Sequence, residues 1–133
     1  MELALRALRH RDRSRRELDQ RLAKAGIEPA ERAETLDRLA TSGLVSDKRF
    51  AAGRARSLAA RGAGDDLIRT DLRRRGVASD AVEHAVADLD PEEVRAAELH
   101  ARRGGDAKAL RYLAGKGFSR ETLEGIGGAL PVD

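Results

Sequence analysis

Leu22-Ala23-Lys24-Ala25-Gly26-Ile27 returns in outline at Leu72-Arg73-Arg74-Arg75-Gly76-Val77 and at Leu113-Ala114-Gly115-Lys116-Gly117-Phe118. Each copy has a leucine four positions before a glycine and a bulky apolar residue directly after it. A leucine there closes the apolar stripe of a helix. The glycine can take the left-handed conformation that ends the helix, and the next apolar residue turns the chain back toward the core. The register continues beyond the glycine: Leu36 and Leu39 stand at plus ten and plus thirteen from Gly26, and Val86 and Leu89 at the same offsets from Gly76. The third copy has Gly127 at plus ten and Leu130 at plus thirteen. The glycines are 50 and 41 residues apart, so the units are unequal but related. This pattern predicts an all-α, elongated tandem array of three three-helix repeats, spanning 1–43, 44–90 and 91–133.

Working outward, local signals supply the nine helices. Met1, Leu5 and Leu8 mark one side of a short first helix. Ser14-Arg15-Arg16-Glu17 matches a capping box, and Leu18, Leu22 and Ala25 follow at helical spacing. Pro29 opens a third helix bearing Ala33, Leu36, Leu39 and Ala40, which ends before Gly43. In Gly43-Leu44-Val45-Ser46-Asp47-Lys48-Arg49-Phe50-Ala51 a helix stop meets a helix start. Leu44 and Val45 are expected to tuck inward, Ser46 or Asp47 to cap, and Phe50 to begin a buried face with Ala51, Ala55, Leu58 and Ala59. Asp65, Ser79 and Ser119 are expected caps for the helices that follow them. Asp90-Pro91-Glu92-Glu93 reads as a helix start with a cap, a first-turn proline and carboxylates at the positive end of the dipole. Gly104 and Gly105 break the seventh helix, the eighth starts at Asp106, and Gly125, Gly127 and Gly128 weaken the ninth.

Composition sets limits on function. Only 2% of the 133 residues are aromatic and 37% are charged, which suits amphipathic helices better than sheet faces. The 26 Lys+Arg against 23 Asp+Glu leave a net charge of +3, so an anionic partner is permitted rather than demanded. Without cysteine there is no disulfide, thiolate metal site or Cys nucleophile. No apolar run approaches a membrane span and the Arg-rich start lacks a signal-peptide core, so a soluble, cytoplasmic protein is expected, and it is expected to be a monomer.

Several fragments imitate catalytic motifs. His10-Arg11-Asp12 copies a kinase triplet without the partners that triplet needs. Gly115-Lys116-Gly117 lacks the upstream glycine and downstream hydroxyl of a phosphate loop. His84 and His100 are too far apart for a helical two-His metal motif. With no nucleophile–base pair, metal set or phosphate loop, the reading is a non-enzyme with no cofactor and no small-molecule substrate. Phe50, Tyr112 and Phe118 read as core anchors rather than base-stacking platforms, since a protein that works by stacking would want more aromatics.

The order of Ser14-Arg15-Arg16-Glu17-Leu18, Leu22 and Gly26, the stretch Gly43–Ala51, Leu72–Val77 and Gly117-Phe118-Ser119 resembles the RecX family over nearly the whole chain. The resemblance implies a bacterial regulator that binds the RecA nucleoprotein filament and restrains its ATPase, strand-exchange and repressor-cleavage activities. That would place it in DNA repair by homologous recombination and in the SOS response. Relatives often carry a Gly-Lys-Gly loop where this chain has Gly62-Ala63-Gly64-Asp65, which puts a phosphate contact there in doubt. On residue pattern alone the basic stretches are ordinary solvated faces. With the resemblance, Arg15, Arg16, Lys48, Arg49, Arg54, Arg69, Arg73, Arg74, Arg75, Lys116 and Arg120 become candidates for contact with RecA or with single-stranded DNA phosphates. Gly26, Gly43, Phe50, Gly76, Gly117 and Phe118 are expected structural anchors. An autonomous helical DNA-binding protein and a protein-interaction adaptor are the alternatives.

Overall fold

Nine α-helices make up a computed structural model that describes residues 1–127. The expected contributions of Gly128 and Leu130 lie outside the described residues. In chain order the helices are α1 (Glu2–Leu8), α2 (Arg15–Lys24), α3 (Pro29–Thr41), α4 (Asp47–Ala60), α5 (Asp65–Arg74), α6 (Ser79–Ala87), α7 (Glu92–Arg102), α8 (Ala107–Gly115) and α9 (Arg120–Gly127). The close helix–helix packing runs α1 on α2 and α2 on α3, then among α4, α5 and α6, then among α7, α8 and α9. Three apolar clusters follow that division. Ala4, Ala7, Leu18, Leu22, Leu36, Leu39 and Val45 form the first, Phe50, Ile68, Leu72, Val77 and Val82 centre the second, and Ala96, Leu110, Leu113, Phe118 and Leu123 form the third. The exposed area of 8055 Å² exceeds the roughly 6,800 Å² expected of a compact monomer of this mass, in keeping with an elongated array.

The three closures form as the repeat predicts. Gly26, Gly76 and Gly117 have φ of 83°, 86° and 87°, and in each the N–H of the next residue reaches back to the carbonyl of the conserved-register leucine (Ile27 to Leu22, Val77 to Leu72, Phe118 to Leu113). Gly43 closes α3 in the same way, with Leu44 N–H bonded to Leu39. The glycine at plus ten in the third copy has a steric cause: a Cβ on Gly127 would stand 2.5 Å from Leu110 Cδ1.

Some local expectations fail. Asp65, Ser79 and Asp90 are not caps: Gly64, Ala78 and Pro91 hold those positions without side-chain bonds, and Pro91 precedes the first turn instead of occupying it. Leu44 is 48% exposed, and only Val45 turns in, joining the first cluster. In α1 the buried face belongs to Ala4 and Ala7, while Met1 is exposed. Ala25, Ala33 and Ala40 are exposed as well, because their larger leucine neighbours fill the core. Tyr112 is only half-buried at the edge of the third cluster.

Candidate interaction surface

The units are joined by the N-terminal end of each middle helix meeting the glycine closure of the following unit. At the first junction the capping box forms as read, with Glu17 N–H on Ser14 Oγ and Ser14 N–H on Glu17 Oε1, both 3.1 Å. The fully buried Ser14 also has its hydroxyl donating to the Arg75 carbonyl, 2.7 Å away and one residue before Gly76. Arg15 N–H donates to Asp47 Oδ1 at 2.8 Å. Gly76 lies against the Arg16 stem so closely that a Cβ would be 2.7 Å from Arg16 Cβ. The Arg75 guanidinium then clamps Glu17 at 2.6 Å and Asp71 at 3.0 Å.

The second junction repeats this plan with different side chains. Gly64, at the register of Ser14, donates its N–H to the Lys116 carbonyl at 2.8 Å, one residue before Gly117. Asp65, at the register of Arg15, donates its N–H to Glu92 Oε2 at 2.7 Å. Asp47 and Glu92 both open the first helix of their unit, so units two and three each supply a carboxylate to an exposed N–H group at the start of the preceding unit's middle helix. Asp66 N–H adds a bond to Gly117 O at 3.1 Å, and a Cβ on Gly64 would stand 2.3 Å from Phe118 N. Ala63 is buried in the second cluster. The Gly62–Asp65 loop is thus part of a junction.

The junction carboxylates have shifted acidities. Burial pushes Glu92 up, but the Thr122 hydroxyl, the Asp65 N–H and Ser119 more than offset it, and the group titrates below the ordinary carboxylate range. Glu17 behaves alike: burial raises it, while the Ser14 N–H and the Arg11 and Arg75 guanidiniums bring it below normal. Asp71 is held down first by Arg54. Asp65 goes the other way, because burial outweighs its pairing with Arg95 at 2.9 Å.

Against this frame the eleven candidate cations divide by what already holds them. Arg54 forms a two-pronged pair with Asp71, both bonds 3.0 Å, and Arg75 is the junction clamp. Arg49 donates to the Gly43 and Leu44 carbonyls at the end of α3 and to Asp12. Arg69 pairs with Glu83 at 3.0 Å and Asp66 at 3.3 Å, Arg15 with Asp37 at 2.6 Å, and Arg120 with Glu124 at 3.0 Å. Arg73 touches Glu83 only at 3.8 Å. Arg16, Lys48, Arg74 and Lys116 have no carboxylate within pairing distance among the described residues. Arg16 over Gly76 brings the end of α5 with Arg73 and Arg74 beside the start of α2.

Residue types missed in the sequence are Glu92, Asp47 as an acceptor across units, and Arg95. The signal available for the first two was an acid at the first helical position of both later units. Arg95 offered none, since its role depends on Asp65 and the Ala63 carbonyl, 30 and 32 residues away.

The chain is a tandem array of three-helix units whose conspicuous side chains serve the joints or stand outward, and no cluster of His, Cys, Asp and Glu suited to a metal occurs among the described residues. No helix among those residues is long and apolar enough to cross a membrane. Models of the RecX first and second three-helix domains match residues 1–39 and 46–86. Among similar proteins, the regulatory protein RecX of Chromohalobacter salexigens is 42% identical over 90% of this chain and 85% of its own, and that of Halorhodospira halophila is 33% identical over 99% and 88%. The crystal structure of RecX from Lactobacillus salivarius superposes with a TM-score of 0.79 at 23% identity, covering 92% of this chain and 88% of that one, a likeness of fold. The chain belongs to the RecX family.

Proposed function

We propose that this protein is a non-enzymatic, cytoplasmic regulator that binds the RecA–single-stranded DNA filament as a monomer and restrains its ATPase, recombinase and coprotease activities. The observation that carries this reading is the way the fold spends its charge. Two junctions of one design hold the units, which we take as residues 1–43, 44–90 and 91–133, in a fixed row, and the cations left over face outward. A rigid row of this kind suits a long, regular groove better than a compact ligand. Arg16, Lys48, Arg73 and Arg74 are the side chains assigned to the anionic path, while Arg54 and Arg75 preserve the shape that presents them. The other candidates, Arg15, Arg49, Arg69, Lys116 and Arg120, contribute where their present partners can be exchanged for phosphate.

The test is single-stranded-DNA-dependent ATP hydrolysis by the cognate RecA with this protein titrated in. Progressive inhibition is expected, and no change at saturating protein would overturn the proposal. Tight, salt-sensitive binding to bare DNA with no effect on RecA would favour the autonomous DNA-binding alternative instead.

A further inference from the structure

The third unit holds a group of side chains that the junctions do not use. The Arg103 guanidinium carbon sits over the Tyr112 ring, 3.4 Å from its centroid. A guanidinium standing on edge at that height would drive one or two nitrogens about 0.7–1.3 Å closer, well inside van der Waals contact, so the guanidinium faces the ring instead of standing on edge over it. Arg103 follows α7 and is exposed; Tyr112 is half-buried on α8, its other side packed toward the third cluster. The outer face of the guanidinium is therefore presented to solvent on an aromatic backing. Lys108 and Lys116 stand four residues before and after Tyr112, which places all three along one side of α8. Arg102 and Arg111 are adjacent in sequence to the stacked pair. Arg102, Arg103, Lys108, Arg111 and Lys116 have no carboxylate within pairing distance among the described residues, while five of the eight arginines named in units one and two for contact with RecA or DNA have one within 3.4 Å. The nearby Asp106 carboxylate is occupied in capping the Ala109 N–H at 2.9 Å.

We infer that Arg103 on Tyr112 is a stacking platform for an unpaired nucleobase, with Lys108, Arg111 and Lys116 along the adjoining phosphates of a single strand. A flat guanidinium offers a base a π-face without sequence preference, and cations spaced along a helix follow a flexible backbone. An acidic peptide would use the cations but not the plane, and a duplex would hide its base faces from it. The inference deepens the proposed function by giving the DNA strand a place in the third unit, and it rests on that reading for its biological setting only.

Tyr112 is the single tyrosine of a chain without tryptophan, so its emission reports on this site alone. Titrating the full chain with oligothymidylate at low salt is expected to quench that emission saturably, and affinity should fall as salt rises, each phosphate contact adding about 0.7 to the logarithmic slope. Binding of the variants is read by anisotropy of a labelled oligothymidylate, with far-UV circular dichroism as the folding control. Arg103→Ala and Arg103→Lys should both weaken binding about tenfold, the loss of one stacking contact. Parent-like affinity in Arg103→Lys would reduce the site to a charge and overturn the platform. Equal quenching by poly-glutamate would assign the surface to an acidic protein instead, and an absence of quenching at low salt would remove the site altogether. The RecA ATPase titration separates the two ideas: inhibition of RecA without Tyr112 quenching sinks this inference alone, and quenching without inhibition sinks the proposed function alone.

Discussion

Replacing Glu92 should damage the array out of proportion to its position at a helix start. Its side chain is 8% exposed and accepts four bonds: Asp65 N–H at 2.7 Å on one oxygen, and Ser119 N–H at 3.2 Å, Ser119 Oγ at 2.8 Å and Thr122 Oγ1 at 2.7 Å on the other. Glu92→Ala leaves all four donors behind. Hydroxyls can rotate toward other acceptors, but the two backbone N–H groups cannot, and each stranded donor costs about 1–3 kcal/mol. A loss of about 3–5 kcal/mol is therefore expected, as for a broken buried charge network. Glu92→Gln keeps the volume and one acceptor oxygen. Turned to satisfy Ser119 and Thr122, its amide points a donor at the Asp65 N–H, so about 1.5–3 kcal/mol should still be lost. Urea unfolding followed by circular dichroism at 222 nm measures both. A Gln variant within about 0.5 kcal/mol of the parent would show that the negative charge at the second junction is dispensable, and the account of that junction would be wrong.

Phe50→Ala should cost about 3–5 kcal/mol, since the ring is 3% exposed within the second cluster; a change below about 1 kcal/mol in urea would contradict its anchoring role. Gly64→Ala, at an ordinary negative φ, should part units two and three because the new Cβ meets Phe118 N at 2.3 Å, visible as an increase in radius of gyration by small-angle scattering. Gly53→Ala, whose Cβ meets only an Arg56 tip at 3.8 Å, should leave scattering unchanged and raise stability by up to about 1 kcal/mol. Arg74→Glu should weaken filament binding more at low than at high salt without altering thermal unfolding, whereas Arg75→Glu should lower the melting temperature first, because it sets a carboxylate against Glu17 and Asp71. Stability should fall as pH drops below about 4.5: Glu17, Asp71 and Glu92 titrate lower in the folded chain than in the unfolded one, so their contribution is complete above the unfolded carboxylate range and is lost as pH falls through the folded values. Asp65, raised by burial, opposes them, and Glu92→Gln should flatten the acid limb of melting temperature against pH.

Helices and their ends were legible because the forces that set them are local. Leu22 and Gly26, Ser14 and Glu17, and Pro29 act within one turn of each other, so spacing carries the information. The same logic misplaced Asp65, Ser79 and Asp90. Each has the side chain of a cap, but a helix can start without one where another unit supplies the acceptor, as Glu92 does for Asp65 N–H. Asp47 was read as a possible cap for its own helix, and its carboxylate instead serves Arg15 N–H, 32 residues earlier. Junction chemistry of this kind joins residues 27 to 61 positions apart, and no periodicity announces it. The cation stripe failed to be legible for a related reason. A run of arginines fixes how much positive charge a helix carries, and the carboxylates that claim it arrive from other helices.

Arg73-Arg74-Arg75 makes the point within one turn. Successive positions on a helix lie about 100° apart, so three neighbouring guanidiniums cannot share a face. Arg75 falls on the side toward α2, where Glu17 and Asp71 fix it; Arg73 reaches only weakly to Glu83; Arg74 meets no carboxylate among the described residues. The inward member keeps the units in line and the outward members are spare, so the same residue type does opposite work at adjacent positions. In a small array this division has an energetic basis. Each unit buries a modest apolar cluster and leans on its neighbour, so the charged pairs that align the units carry a larger share of the shape than they would in a domain with one large core. Charge left free after those pairs have formed is the charge that can meet a partner, and it is found beside the first junction at Arg16 and Arg74 and on the third unit around Arg103.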